Sequence, residues 1–76
     1  MKIEVLGSGC KRCVQLAENA QAALAAAGKT GEVTKVTSPA EIALRGVMST
    51  PGLAIDGKLV STGRVLAPDD IAKLLP

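Results

Sequence analysis

The chain has 76 residues, nine Lys or Arg against seven Asp or Glu, and a net charge of +2. That balance is too weak for a nucleic-acid surface, and with no Phe, Tyr or Trp nothing can stack on a base. Histidine is also absent, which removes the usual general base and the commonest metal ligand.

This length makes one small domain with a thin stability margin. Apolar residues are 47% and charged residues 21%, a globular balance, so the core must come from Ile, Val, Leu, Ala and Met. No apolar run reaches the roughly 18 residues that a membrane-spanning helix needs. The opening MKIEVLGSG sets an acid and glycines where a secretory leader carries its apolar stretch, so a cytoplasmic protein is expected.

Residues 2–7, KIEVLG, alternate and are β-branched, which predicts a strand. From Cys10 to Gly28 the period becomes helical. Cys13, Ala17, Ala20, Leu24 and Ala27 form one stripe with Leu16 and Ala23 beside it, and Gly28 is a natural cap. Residues 32–38, EVTKVTS, predict a second strand. SPAE at 38–41 is a capping box with Pro39 at the first helical position, opening a short helix to about Arg45. GLAIDGKLVSTG at 52–63 reads as two strands joined at Asp56-Gly57. The closing helix starts at Pro68, carries Asp69 and Asp70 in its first turn, and directs Ile71, Leu74 and Leu75 inward. The order β-α-β-α-β-β-α predicts an α/β domain with a four-stranded mixed sheet and three helices, one face covered more thinly by the short second helix.

Cys10 and Cys13 are the only cysteines. Residues three apart on a helix are neighbours and can form a disulfide. The first stands at the helix start, where unpaired N–H groups and the helix dipole favour a thiolate. The second lies on the apolar stripe. An exposed, acidic nucleophile beside a shielded resolving thiol is what dithiol exchange requires. Lys11 and Arg12 either favour that thiolate further or form an ordinary solvated face. Three readings stay open. A structural staple is weak, since closing so short a loop yields only about 2 kcal/mol. A zinc site is incomplete, with two thiols and no histidine, although two thiolates can hold a soft ion such as Cu(I). A redox couple fits the composition and the expected compartment best. Pro51, ahead of a strand, reads by itself as an ordinary trans proline.

Taken together, a Cys-x-x-Cys opening the first helix after the first strand, then Thr50-Pro51-Gly52 before a hairpin, then an acid-led closing helix, resemble the thioredoxin fold. Across its whole length the chain is similar to small thioredoxin-like proteins of the redox-active disulfide protein 2 family, minimal thioredoxins without the extra N-terminal strand and helix. The resemblance implies a thiol–disulfide oxidoreductase that needs no cofactor or metal. Cys10 matches the nucleophile, Cys13 the resolving thiol and Pro51 the cis proline beside them. Thr50 matches the residue whose backbone pairs with a bound substrate strand. Gly63 matches the glycine that leaves room for a partner. Glu4 falls where typical thioredoxins carry a buried acid serving the resolving thiol. It is either that acceptor or a solvated strand residue, and the cost of burying a carboxylate favours the second. The chain departs from typical thioredoxins in having Lys11-Arg12 between the cysteines and no tryptophan before Cys10. The expected partners are disulfide-containing protein substrates and a reductase, with no nucleic acid or membrane, and the protein is expected to be a monomer. The alternative is a soft-metal module of the copper-chaperone type. Ser8 stands where those domains place a methionine, and their closing strand is missing here. A glutaredoxin-like enzyme is a further rival, but no tripeptide-binding signature follows Gly63.

Overall fold

The computed structural model describes all residues, 1–76. Strand β1 (Lys2–Leu6) leads through a glycine-rich loop into helix α1 (Lys11–Ala27), followed by β2 (Glu32–Val36) and the short α2 (Pro39–Leu44). The hairpin β3 (Gly52–Ile55) and β4 (Lys58–Thr62) follows, and α3 (Pro68–Leu74) closes the chain. The sheet order is β2-β1-β3-β4. β1 pairs parallel with β2 and antiparallel with β3, so the sheet is mixed. This is the minimal thioredoxin arrangement of three helices and four strands.

Local chemistry accounts for each element. α1 is alanine-rich, and Gly28 ends it in the left-handed conformation with its N–H on Ala25 and Leu24 carbonyls. Ser38 Oγ accepts from the Glu41 N–H at 3.4 Å and Pro39 fills the first turn, so α2 starts where the capping box put it. At the hairpin both Asp56 and Gly57 have positive φ, 50° and 84°, as a two-residue turn between twisted strands demands.

The two sheet faces are packed differently. Ile3, Val5, Leu53 and Ile55 meet Cys13, Leu16, Ala17, Ala20, Ala23 and Leu24 of α1 and Ile71 of α3 in the main core. The opposite face holds only Leu6, Ala54, Ile42 of α2 and Val47. Three expectations need correction. Ala27 is exposed, because the last turn of α1 runs past the sheet. Leu74 is 43% exposed and Leu75 only half-buried, since α3 is a single short helix that seats Ile71 alone in the core. Glu4 is not a solvated residue: it is 7% exposed.

The reason is Arg45, at the C-terminal end of α2. Its Nη2 donates to Glu4 Oε1 at 2.7 Å and its Nη1 to Oε2 at 3.2 Å. A two-pronged, charge-assisted pair offsets the cost of covering the carboxylate. Glu41, one turn back on α2, adds a looser contact to Arg45 at 3.6 Å. The pair thus fastens the thinly covered face where apolar contact is sparse.

Arg45 holds the Glu4 carboxyl below the usual carboxylate value, first through its hydrogen bonds and then through its charge, against the opposing effect of burial. The pair's contribution is therefore complete above the ordinary Glu value of about 4.3 and is lost as pH falls through the lowered folded value. Arg45→Met leaves Glu4 covered and unpaired, so it should cost about 1–3 kcal/mol. Replacing both partners should cost less than the sum of the single changes. Urea unfolding followed by far-ultraviolet circular dichroism tests this. The gap between wild type and Glu4→Gln should close as pH falls from 7 to 2, and a gap independent of pH would remove the pair from the stability of this face.

Candidate functional site

The site lies where α1 leaves the sheet. Cys10 is the residue before the first helical turn, extended and exposed, and no side chain caps the helix there. Cys13 is one turn on and 4% exposed, inside the main core. Their sulfurs are 3.0 Å apart, both as free thiols. One face of this short segment thus presents an accessible sulfur and the other a shielded one.

The Cys10 thiol is pushed below its ordinary value. The largest cause is the hydrogen bond with the Cys13 side chain, followed by the Cys13 backbone N–H and, against burial, the N–H groups of Arg12 and Cys10. These amides have no helical acceptor at a first turn, so they are free to stabilise an anion there. The side-chain charges of Lys11 and Arg12 are not among the causes. Arg12 instead donates Nη2–H to the Gly63 carbonyl at 2.8 Å, on the surface.

Gly63 is a junction. Its N–H donates to the carbonyls of Ser49, at 3.0 Å, and Pro51, at 2.9 Å, which ties the end of β4 to the loop before β3. In that loop the Thr50–Pro51 peptide is cis. Pro51 is fully buried and Thr50 exposed. Neither the N–H nor the carbonyl of Thr50 joins a backbone hydrogen bond within the chain.

Gly7 brings the loops together. A Cβ on Gly7 would lie 2.3 Å from Cys13 Sγ and 3.7 Å from Thr50 Cβ. The buried sulfur therefore sits against the bare backbone at the end of β1, and Thr50 also lies close to Gly7. Only glycine permits that approach.

The structure thus brings Cys10, Cys13, Thr50, Pro51, Gly63 and Arg12 to one end of the sheet. Glu4 is not joined to them by a hydrogen bond: both its oxygens go to Arg45, on the α2 face. Gly7, in the site, and Arg45, on the α2 face outside it, carry no role in the sequence motifs. Gly7 had a visible signal, a glycine directly before the Cys-x-x-Cys segment. Arg45 had none, since its partner lies 41 positions away. No group of three or more His, Cys, Asp or Glu converges anywhere in the fold.

The thioredoxin-domain family model matches residues 1–76, the whole chain. The chain belongs to the thioredoxin-domain family. It is 39% identical over 75 residues to a thioredoxin of Methanothermobacter thermautotrophicus, covering 99% of this chain and 97% of that one. It is 37% identical over 73 residues to a thioredoxin of Methanocaldococcus jannaschii, covering 96% of this chain and 84% of that one. With its paired thiols at the helix start, it is a small thioredoxin-like redox protein. No helix is long and apolar enough to cross a membrane.

Because Cys13 supplies the leading stabilisation of the Cys10 thiolate, Cys13→Ala should raise the pH midpoint of Cys10 alkylation towards the ordinary thiol value. Cys13→Ser, which keeps an O–H donor, should raise it less. Gly7→Ala should act in the same direction as Cys13→Ala, by forcing Sγ away. Alkylation rate against pH, counted by mass, reads all three, and a midpoint unmoved by Cys13→Ala would assign the shift to the helix start alone.

Proposed function

We propose that this protein exchanges disulfides with protein targets. The observation that carries the reading is the asymmetric pair, an exposed sulfur of lowered pKa 3.0 Å from a buried one. The Cys10 thiolate attacks one sulfur of a target disulfide, forming a mixed disulfide and releasing the other target sulfur as a thiolate. Cys13 then attacks Cys10 Sγ, its proton passing to the departing target sulfur. The target gains two electrons, and with the Cys13 proton and one from water, matching the proton Cys10 gave up, it ends as two thiols while the Cys10–Cys13 disulfide forms. A reductase must return those two electrons. No cofactor enters either step.

The surrounding loops support a bound chain at this point. Thr50 is exposed with its backbone N–H and carbonyl free, the arrangement an extended target segment can pair with by strand addition. Pro51, next in the chain and fully buried, has no N–H to leave unpaired there. Gly63, held by Ser49 and Pro51, keeps the far rim free of a side chain. We place the activity in the cytoplasm, where thiols are kept reduced.

Cys10→Ser should abolish reduction of protein disulfides. Cys13→Ser should accumulate mixed disulfides with targets, seen as mass adducts released by dithiothreitol. Full turnover on protein disulfides by Cys13→Ser would exclude the two-thiol mechanism. Co-purification of a soft metal with the wild type, together with no intramolecular disulfide on oxidation, would favour the metal-binding reading instead.

A further inference from the structure

The rim of the site carries charge of one sign. Three segments converge at the cysteine end of the sheet, spanning residues 7–13, 46–51 and 62–66. Their meeting is recorded in the approach of Gly7 to Cys13 and Thr50, in the Gly63 N–H bonds to Ser49 and Pro51, and in the Arg12 bond to Gly63. Within them stand Lys11, Arg12 and Arg64 and no acid at all. The chain as a whole is only +2, so the remainder is net negative. Two of these cations directly follow Cys10 in the chain, and the third directly follows Gly63.

Each of these cations is exposed. None is in an ion pair; the two salt bridges of the fold both belong to Arg45, on the α2 face. Arg12 is held by an uncharged carbonyl, which fixes the guanidinium beside Arg64's own backbone and leaves its charge uncompensated. The nearest acid along the chain before the first loop is Glu4, which Arg45 neutralises. Beyond the third, Asp70 in the first turn of α3 lines the same groove as Arg64 and Lys73, without an ion pair to either. The start of α1 adds its positive dipole end at the same place.

We infer that the preferred substrates are disulfides flanked by acidic residues, and that Lys11, Arg12 and Arg64 select them. The inference rests on the disulfide-exchange reading and names its substrate class. A segment laid along Thr50 lies beside the Gly63 junction, to which Arg12 is bonded and which Arg64 follows. Acidic side chains on either side of its cysteine are drawn in, and basic ones are repelled. Such complementarity acts mainly on encounter and on rejection of wrong partners, and it fades with salt. The chemical step is the one already written: the peptide disulfide takes two electrons and two protons, and the protein's two thiols become the Cys10–Cys13 disulfide.

The test uses the reduced full chain in single turnover. Its substrates are three peptides of equal length with one internal disulfide, flanked by Glu, by Gln or by Lys. Products are counted by alkylation and mass, since the chain has no aromatic chromophore. At low ionic strength the Glu-flanked peptide should react about tenfold or more faster than the Lys-flanked one, with the Gln-flanked peptide between. Near 1 M salt, where the screening length is about 3 Å, the three rates should draw together. Arg64→Glu and Lys11→Glu, each normalised to its own rate on the Gln-flanked peptide, should narrow or reverse the ratio. Equal rates on all three peptides would overturn the charge selection and leave disulfide exchange standing. No reaction with any peptide, from a protein whose Cys10 still alkylates, would overturn the exchange reading and the inference with it.

Discussion

Helix α1 lies close against β1 and β3, and the site depends on that seat. The helix presents three alanines, Ala17, Ala20 and Ala23, to the core, with Leu16 and Leu24 filling beside them. Small side chains let a helix approach a sheet closely, and close approach here has a chemical use. It carries Cys13 Sγ down onto the bare backbone of Gly7, one residue past the end of β1. With that sulfur pinned, its neighbour Cys10 is left on the outside of the same turn. The difference between the two sulfurs is thus a packing result before it is an electrostatic one.

The second constraint is the thin face. On the α2 side only Ile42 and Val47 are buried over the sheet residues Leu6 and Ala54, with Val36 and Leu59 half-buried beside them. A short chain with no aromatic residue has little else to place there. The fold supplements that cluster with a carboxylate and a guanidinium in two-pronged contact. Such a pair adds geometric specificity where apolar packing is sparse. It also commits Glu4 to the scaffold, on the side of the sheet away from the core that holds Cys13.

The charge arrangement follows from the same division of labour. Glu4 and Glu41 are engaged with Arg45, and Asp69 and Asp70 serve the first turn of α3. The cations Lys11, Arg12 and Arg64 have no ion-pair partner and belong to the segments at the cysteine end of the sheet. Glu4 is thus withdrawn from solvent, whereas the rim cations remain exposed. Arg12 links the α1 start to the loop after β4 without being neutralised, since its acceptor is a carbonyl.

Much of this was readable along the chain. The capping box at 38–41, the helix-ending Gly28 and the Asp56-Gly57 turn act over a few residues, so the seven elements and their order could be read directly. The Cys-x-x-Cys spacing placed both thiols on one turn, and the alternation of the apolar stripe made the second the buried one. Resemblance to small thioredoxins marked Thr50, Pro51 and Gly63 as neighbours of the cysteines. Tertiary structure alone decided what depended on distant partners. Glu4 became a buried ion because Arg45, 41 positions away, was folded onto it. Leu74 stayed partly exposed because a seven-residue helix has room for one core anchor, Ile71. Gly7 acquired its role only when Cys13 was laid against it, and Arg12 was turned to Gly63 rather than to the sulfur beside it in sequence. Local signals specify elements. Which side chains share a space is set by how the elements close on one another.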